Sequence, residues 1–417
     1  MKIYIDIYGC TANKSDAAIA NHLIKNHAFY DLTESIKEAD IILLFSCTVI
    51  STTEQKILSR IKKYYASGKK IIVAGCMASI QSNLIHLIDE KIICIPPQDI
   101  HHLISYLEHT EQIPVTALKY EIPKIYASVI APIAISEGCT FACTYCITTL
   151  ARGKLTSVPI DLIKKDIKQA LQQGCKEIQL TAQDTASYGI DRQSTLSELL
   201  GKLAVIKGSY RTRIGMMNPS TLRPQLEKII HCYQNDHIYK FMHLPVQSGS
   251  NEILEKMHRH YTIEEVTDMV QKFRNHFPDI TYATDIIVGF PTETEEQFNQ
   301  TKQLLTTQKP DIVNITKFSA RPHTVAKAMK GRIPTHIVKK RSRELTLLLQ
   351  DISLQRNKEK IGNSYTILIT EKGKHNTMIG RAENYKPVVI QKPLPIGSWT
   401  DVEIIDAGQT YLVGMLK

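Results

Sequence analysis

One short segment constrains this chain more than any other, because it carries three cysteines spaced as C-x3-C-x2-C. They are Cys139, Cys143 and Cys146. A single loop can aim three thiolates at one point, as an iron–sulfur cluster requires. Structural zinc instead takes four ligands, usually in two closely spaced pairs, and no partner pair follows this loop. The spacing therefore favours a cluster with one iron left open for a small molecule over a zinc knuckle.

Three further cysteines lie just past strand-like apolar runs that alternate with helical patterns. They are Cys10, Cys47 and Cys76. In a parallel α/β sheet the carboxyl ends of the strands meet at one crevice, and nearby helix N-termini favour the negative charge of thiolates. This placement predicts a second three-cysteine cluster with an open iron. Three buried structural cysteines are the alternative, and the spacing alone leaves both open.

The remaining cysteines and the charge balance add weaker constraints. The chain has nine cysteines, and an odd number without a secretion signal argues against a disulfide framework. Cys94, Cys175 and Cys232 show no such strand-end placement and are predicted to be structural. Lys and Arg exceed Asp and Glu by 51 to 41, a balance that suits a polyanionic partner such as nucleic acid.

The chain is predicted to be cytoplasmic, with no membrane partner. The N-terminal residues alternate apolar and polar side chains and lack the apolar run of a signal peptide. No segment approaches the roughly 20 consecutive apolar residues of a membrane span.

The pattern of elements predicts an α/β chain with three domains. Strands and helices alternate in residues 1–110, which indicates an open α/β domain. A polar segment, 111–124, is interpreted as a linker. The alternation restarts in 125–356 with six candidate strands, which indicates a parallel sheet, open or closed, ending in an amphipathic helix. Five short strand-like runs in 358–417 predict a small barrel of the OB type.

Ordered motifs along nearly the whole chain resemble the radical-SAM methylthiotransferase family. These are Tyr8-Gly9-Cys10-Thr11, Ser46-Cys47-Thr48, Ala74-Gly75-Cys76, Gly138 to Cys146, Leu180 to Thr185, His243 to Ser250, Asp285 to Pro291 and Arg381 to Val389. Two positions depart from the family pattern. Phe45-Ser46 stands where Asn-Thr is common, and His323 stands where a Gly usually follows Arg-Pro.

The resemblance implies a fold, cofactors and partners. The fold is an N-terminal open α/β domain, a partial (β/α)6 radical-SAM barrel and a C-terminal OB-like TRAM barrel that binds tRNA. The cofactors are two [4Fe-4S] clusters, one on each cysteine triad, and S-adenosylmethionine. A low-potential electron donor and a sulfur source are also required. The cofactors carry the chemistry, so no protein side chain is assigned as a catalytic acid or base.

The resemblance also indicates a substrate. Tyr8-Gly9-Cys10-Thr11 and Asn384 to Val389 look like the archaeal and eukaryotic branch. That branch converts N6-threonylcarbamoyladenosine beside the tRNA anticodon to its 2-methylthio derivative. The alternatives are a methylthiotransferase for isopentenyladenosine in tRNA or for a ribosomal-protein aspartate, a radical-SAM enzyme of another reaction such as plain methylation, and a non-catalytic tRNA-binding protein.

Individual contacts are predicted from position alone. Tyr145, inside the cysteine loop, is expected to pack beside the cluster or the adenine of the cofactor. Polar residues at strand ends are candidate cofactor contacts, or else ordinary polar groups at the barrel rim; they are Gln183, Asp184, Asn218, Gln247 and Asp285. Basic and aromatic residues of the helix and tail are candidate RNA contacts, unless the helix face is merely solvated and the barrel is a lid; they are Lys339, Lys340, Arg341, Arg343, Lys372, Lys374, Arg381, Tyr385 and Lys386.

Overall fold

The N-terminal part is a parallel sheet with a hydrophobic core on each face. The structure, a computed structural model, describes residues 1–108 and 118–417. The strands are β1 (Lys2–Tyr8), β2 (Asp31–Leu32), β3 (Ile41–Ser46), β4 (Lys70–Gly75) and β5 (Ile93–Ile95), in the order β2-β1-β3-β4-β5. The helices are α1 (Thr11–Lys25), α2 (Ser51–Ala66), α3 (Cys76–Ile80), α4 (Ser82–His86) and α5 (Leu103–Glu108), with a 3-10 helix at Pro97–His102. All six residues of β3 are buried, as its unbroken apolar sequence predicts for a strand covered on both faces.

The middle part is the predicted open barrel of six parallel strands. They are β6 (Ile130–Ala134), β9 (Glu177–Thr181), β10 (Arg211–Ile214), β11 (Phe241–His243), β12 (Thr281–Val288) and β13 (Ile312–Lys317). They form two three-stranded sheets, β10-β9-β6 and β11-β12-β13, and a bridge between Thr212 and Ile238 joins the sheets. A short antiparallel ribbon, β7 (Ser136–Glu137) and β8 (Thr156–Ser157), comes before the helix at Ile160–Gln172.

Helices cover the outside of this barrel. They are α6 (Thr148–Arg152), α7 (Ile160–Gln172), α8 (Leu196–Leu203), α9 (Pro219–Leu222), α10 (Leu226–Cys232), α11 (Asn251–Lys256), α12 (Ile263–His276), α13 (Glu295–Gln308), α14 (Val325–Ala328) and α15 (Thr335–Lys358), with 3-10 helices at Thr185–Ser187, Ile190–Arg192 and Arg223–Gln225. Helix α12 begins with a capping box, in which the Glu265 N–H donates to Thr262 Oγ1 at 3.3 Å and the Thr262 N–H donates to Glu265 Oε2 at 2.9 Å. Among the helices of residues 1–108 and 118–417, none combines the length and apolar composition of a bilayer span.

The C-terminal part is a closed five-stranded barrel, as predicted. Its strands are β14 (Ser364–Lys372), β15 (Met378–Arg381), β16 (Pro387–Ile390), β17 (Trp399–Ala407) and β18 (Leu412–Leu416), in the order β14-β15-β16-β18-β17. Ile367, Val388 and Ile404 are among the side chains that fill its core. Helix α15 leads into it from the open barrel.

The loop between β15 and β16 fastens the closed barrel to the open one. The Tyr385 hydroxyl donates to Glu177 Oε1 at 2.9 Å, and Lys386 Nζ lies 2.8 Å from Asp311 Oδ1. Glu177 begins β9, and Asp311 directly precedes β13. The loop therefore covers the amino ends of the barrel strands and leaves their carboxyl ends free.

The segment interpreted as a linker is in part an interdomain contact. Residues 111–117 lie outside the described part of the chain. Beyond them, Lys119 and Lys124 are buried, and they pair with Asp16 and Asp166 respectively. The polar composition suggested exposure because it does not reveal the distant carboxylates that compensate buried ammonium groups.

We expect Tyr385→Ala to destabilise the docked barrel by about 3 kcal/mol, because it leaves a cavity between two sheets and removes a buried hydrogen bond. Urea unfolding followed by fluorescence of Trp399, the single tryptophan, measures this loss. Tyr411→Ala is the control, since Tyr411 lies in the same barrel and is 42% exposed. It should cost less than about 1 kcal/mol. Equal losses would contradict a docking role for Tyr385.

Candidate functional site: two cysteine triads

The first triad stands at the carboxyl edge of three neighbouring strands. Cys10 caps α1 after β1, Cys47 follows β3, and Cys76 begins α3 after β4. The strands end level, because Tyr8 pairs with Ser46 and Ser46 pairs with Gly75. The sheet thus brings together three cysteines that are far apart in sequence.

The local sequence explains how tightly these strand ends pack. Gly75 has a φ of +97°, and a Cβ atom there would meet the Ser46 carbonyl oxygen at 2.6 Å, so only glycine fits. Asn13 Nδ2 donates to the same carbonyl oxygen at 2.8 Å. Ser46, one of the two departures from the family pattern, is fully buried and donates its hydroxyl to the Ala74 carbonyl at 2.7 Å. Its polar group is therefore satisfied within the sheet.

The electrostatics of the first triad reflect the proximity of its thiols. Burial raises the pKa of Cys76 to about 11, and the charges of Cys10 and Cys47 raise it further, whereas the guanidinium of Arg152 opposes the rise. Burial also raises the pKa of Cys47, again with a contribution from Cys10. Binding of a metal cluster would replace the thiol protons that these raised pKa values retain.

The second triad occupies the loop between β7 and α6. Gly138 starts this loop with a φ of +78°, and a Cβ atom there would meet the Lys154 carbonyl oxygen at 2.1 Å. Two backbone N–H groups point at sulfur atoms: that of Phe141 lies 3.5 Å from Cys139 Sγ, and that of Thr148 lies 3.4 Å from Cys146 Sγ. Such donors stabilise thiolates and tune cluster potentials.

Arg259 contacts this loop and was not predicted from the sequence. Its Nη1 lies 3.5 Å from Cys143 Sγ, and its Nη2 donates to the Pro245 carbonyl at 3.1 Å. Burial works to lower the pKa of Arg259, but Tyr261, Tyr145 and Cys143 hold it well above the ordinary value. The site thus contains a partly buried positive charge beside one sulfur. Arg259 lies between α11 and α12 in no recognised motif, so no local pattern indicated it.

The predicted strand-end residues fall into two groups. In the first, the Asn218 N–H donates to Asp184 Oδ1 at 2.9 Å and the Thr221 hydroxyl donates to Asp184 Oδ2 at 2.7 Å. Burial raises the pKa of Asp184 to about 6, although these hydrogen bonds oppose it. Its charge in turn contributes to the raised pKa of Cys139. Gln183 Oε1 is buried beside this group and has no hydrogen-bond partner among residues 1–108 and 118–417.

The second group lies on the other half of the barrel. Asp285 Oδ1 is 3.1 Å from His243 Nε2 and accepts a hydrogen bond from Asn314 Nδ2 at 2.7 Å. Burial works to raise the pKa of Asp285, but His243 and Asn314 hold it below the ordinary value. The Gln247 N–H donates to the Asp285 carbonyl at 2.8 Å. Asp285 is therefore an anion at neutral pH, with its lone pairs partly engaged.

Tyr145 packs into the protein from within the cysteine loop. It lies against a cluster that contains Phe290 and Phe318. Burial raises its pKa well above the ordinary value. Tyr145 is thus a neutral aromatic side chain that closes one side of the loop.

A buried ion cluster joins the two triads. Arg152, the last residue of α6, donates from Nη2 to Asp16 Oδ2 at 2.9 Å and to Asn13 Oδ1 at 2.8 Å. Its Nη1 donates to Glu137 Oε1 at 2.6 Å. Lys119 Nζ lies 2.7 Å from Asp16 Oδ1 and 3.0 Å from Glu137 Oε2. The helix that follows the second triad is thereby fixed to α1, which follows Cys10.

The donor chemistry of both triads fits iron–sulfur clusters. Within residues 1–108 and 118–417, no three His, Cys, Asp or Glu side chains converge closely enough to hold one metal ion. Zinc needs four ligands around one atom. In a multi-iron cluster each cysteine binds a different iron, so the cysteine Sγ atoms stand farther apart than they would around a single ion. Both triads offer only thiols, which suit iron–sulfur clusters.

The predicted RNA-contacting residues separate into exposed and buried sets. Lys339, Lys340 and Arg343 are exposed on α15, and Lys372 and Lys374 are exposed at the β14–β15 turn. Arg381 is partly buried, with its guanidinium 5.0 Å from the Tyr385 ring centroid.

Three of the predicted RNA contacts require correction. Arg341 is 5% exposed and pairs with Glu293 at 2.8 Å. Tyr385 and Lys386 are engaged in docking the closed barrel. Their polar groups are used inside the protein, so they face no external ligand. The sequence pattern showed the charges but not the carboxylates that meet them.

Comparisons with known proteins agree with this architecture. Residues 2–95 match the "Uncharacterized protein family UPF0004", 133–305 match the Radical SAM superfamily and 358–417 match the TRAM domain. A probable threonylcarbamoyladenosine tRNA methylthiotransferase of Archaeoglobus fulgidus is 38% identical over 427 residues, covering 100% of this chain and 99% of the relative. The chain belongs to the radical-SAM methylthiotransferase family.

Relatives of this methylthiotransferase family extend to eukaryotes. The threonylcarbamoyladenosine tRNA methylthiotransferase of Danio rerio is 33% identical, covering 99% of this chain and 78% of the relative. Among solved structures, the radical S-adenosylmethionine methyltransferase TsrM of Kitasatospora setae, with cobalamin and a [4Fe-4S] cluster bound, superposes with a TM-score of 0.56. That match is 10% identical and covers 78% of this chain and 76% of TsrM, so it speaks for the fold alone.

The contrast between buried and exposed ion pairs gives a test of the ion cluster. We expect Arg152→Met to destabilise the protein by about 3–5 kcal/mol, because Asp16 and Glu137 are left buried with reduced compensation. Arg223→Met is the control, because the Arg223 side chain is 51% exposed in its pair with Glu265; it should cost less than about 1 kcal/mol. Thermal and urea unfolding measure both variants. A small loss of stability for Arg152→Met would contradict the role of the ion cluster in joining the two triads.

Proposed function

We propose that this protein is a radical-SAM methylthiotransferase that converts N6-threonylcarbamoyladenosine next to the tRNA anticodon to its 2-methylthio derivative. One observation carries the proposal: two cysteine triads stand at the carboxyl edges of two sheets and are joined by Arg152. The names of the full-length relatives support the substrate.

The two triads take different roles in this proposal. Cys139, Cys143 and Cys146 would hold the [4Fe-4S] cluster that serves S-adenosylmethionine. Cys10, Cys47 and Cys76 would hold an auxiliary [4Fe-4S] cluster that serves sulfur insertion. When bound, these cofactors supply the radical and the sulfur that an unactivated aromatic C–H bond requires. A low-potential electron donor and a sulfur source are needed from outside the chain.

The side chains around the triads bind and orient. Arg259 offers a partly buried cation for the carboxylate of S-adenosylmethionine, and Asp285 offers an anion for its amino group. Asp184, Asn218, Gln183 and Gln247 border the same strand ends and bind the rest of the cofactor. Tyr145 excludes water from one side of the loop, which strengthens the electrostatic interactions there.

The three parts of the chain divide the work in the same proposal. Residues 1–110 carry the auxiliary triad, 125–356 carry the radical-SAM triad and the connecting helix, and 358–417 contact tRNA. The exposed cations of α15 and of the β14–β15 turn provide phosphate contacts. The intact triads favour this function over a non-catalytic tRNA-binding protein.

Nucleoside analysis of cells tests the reaction and the substrate together. Cells that lack the protein should lose 2-methylthio-N6-threonylcarbamoyladenosine, and the wild-type chain should restore it. We expect the Cys10→Ala/Cys47→Ala/Cys76→Ala variant to restore none, because it lacks the sulfur-carrying cluster. Loss of a different methylthio nucleoside would redirect the assignment to one of the other substrates.

The purified enzyme separates the two triads. After anaerobic reconstitution, the same variant should still form 5′-deoxyadenosine, whereas Cys139→Ala/Cys143→Ala/Cys146→Ala should form none. A matched control replaces Cys94, Cys175 and Cys232 with alanine and should keep both activities and the full iron content. Sulfur insertion by the Cys10/Cys47/Cys76 variant, or little iron in the wild type, would refute the proposal.

The salt dependence of tRNA affinity tests the RNA surface. The logarithm of affinity should fall linearly with the logarithm of salt concentration, because phosphate contacts release counterions. We expect Lys372→Ala and Lys374→Ala each to reduce the slope by about one. Lys168→Ala, on the exposed face of α7, is the control and should leave the slope unchanged. Indifference to salt, or an equal effect of Lys168→Ala, would exclude this surface.

A further inference from the structure

We propose that Arg321 is a positioning residue that fixes the auxiliary triad relative to the radical-SAM loop, an inference that rests on the proposed function. Arg321 belongs to the open barrel, in the segment between β13 and α14. It is 3% exposed, and among the described residues the hydrogen-bond acceptors of its Nη2 lie in the N-terminal part of the chain.

The guanidinium of Arg321 binds residues that neighbour Cys47 and Cys76 of the auxiliary triad. Its Nη2 donates to Thr48 Oγ1 at 2.9 Å and to Gln81 Oε1 at 3.0 Å, and it also pairs with Glu54. Thr48 directly follows Cys47, and Gln81 is the C-cap residue of α3, the helix that Cys76 begins. Arg321 therefore acts on the triad through its neighbours.

The polar groups on the N-terminal side also bind one another. Gln81 Nε2 donates to Glu54 Oε2 at 2.6 Å, and the Thr48 hydroxyl donates to Gln81. Glu54 is 8% exposed and Gln81 is 3% exposed. The buried carboxylate of Glu54 requires the positive charge of Arg321, because an unpaired buried charge is costly. This cost stabilises the contact between the two parts of the chain.

The same segment reaches the radical-SAM loop a few residues later. The Ala326 N–H donates to the Thr144 carbonyl at 2.8 Å, and Thr144 stands between Cys143 and Cys146. Thr144 is itself held, because its N–H donates to the Met257 carbonyl at 3.2 Å. The six residues from Arg321 to Ala326 thus contact residues that neighbour the cysteines of both triads.

The turn inside this segment depends on an unusual backbone conformation. His323, the second departure from the family pattern, has a φ of +61°, which glycine adopts freely and a β-branched residue adopts at considerable cost. Its side chain is exposed. His323 therefore adopts a backbone geometry that glycine takes without strain.

A rigid spacer between the triads matters for one reaction and not for the other. Cleavage of S-adenosylmethionine uses the radical-SAM loop alone. Transfer of sulfur also requires the auxiliary cluster at a fixed distance from the substrate, and a misplacement of about 1 Å can cost about 100-fold in rate. Loss of the Arg321 contact should therefore uncouple the two reactions.

The test is the double variant Arg321→Met/Glu54→Gln, which removes both buried charges and so avoids the folding defect of an unpaired Glu54. Reconstituted enzyme should keep the wild-type iron content and form 5′-deoxyadenosine within about twofold of the wild-type rate. Methylthio product should fall at least about tenfold. Electron paramagnetic resonance of the reduced protein should show altered magnetic coupling between the clusters, which unaltered spacing would not produce.

Variants at the turn supply an independent comparison. His323→Gly should retain wild-type coupling, whereas His323→Val should reproduce the excess of 5′-deoxyadenosine over methylthio product. The inference is overturned if the double variant loses both products in parallel, or if its product ratio and magnetic coupling equal those of the wild type. A wild-type enzyme with a single cluster, or without methylthio product, overturns the proposed function itself and is recognised before any variant is made.

Discussion

The guanidinium of Arg152 joins the two cysteine-bearing parts of the protein at a buried site between the triads. It lies in helix α6, directly after the second triad, and its partners include Asn13 and Asp16 in the helix that follows Cys10. Asn13 in turn holds the carbonyl of Ser46, next to Cys47. Such a cluster gains little net stability over an apolar contact of the same shape, but breaking it is expensive. Its value lies in the single geometry that satisfies all of its hydrogen bonds.

The closed barrel is attached by a different kind of contact at the opposite end of the strands. Tyr385 and Lys386 project from a tight loop, in which Tyr385 has a φ of +66°. They meet Glu177 and Asp311 at the amino ends of β9 and β13. Burial lowers the pKa of Lys386, and Asp311 opposes this shift. The three parts of the chain are therefore joined by buried polar contacts at well separated places.

The sequence predicted the elements and the cysteine positions because both depend on local pattern. Apolar runs that end at Cys10, Cys47 and Cys76 mark strand ends, and parallel strands bring their ends together. The sequence did not predict the roles of Arg152, Arg259 and Arg321, because their partners lie far away along the chain. Arg341 and Lys386 were placed on the surface for the same reason, since Glu293 and Asp311 are remote in sequence. Local composition reports a charge but not the fold that compensates it.

The closed barrel is attached at the amino ends of the barrel strands, whereas the cysteines lie near carboxyl ends. The cysteine-bearing parts and the C-terminal barrel are thus separable in design. A chimera that exchanges the C-terminal module for another nucleic-acid reader needs to preserve the contacts of Tyr385 and Lys386 with Glu177 and Asp311, together with those that Asp279 makes with the module. Recognition can then diverge while the chemistry stays the same, which gives this architecture a simple route to new substrates.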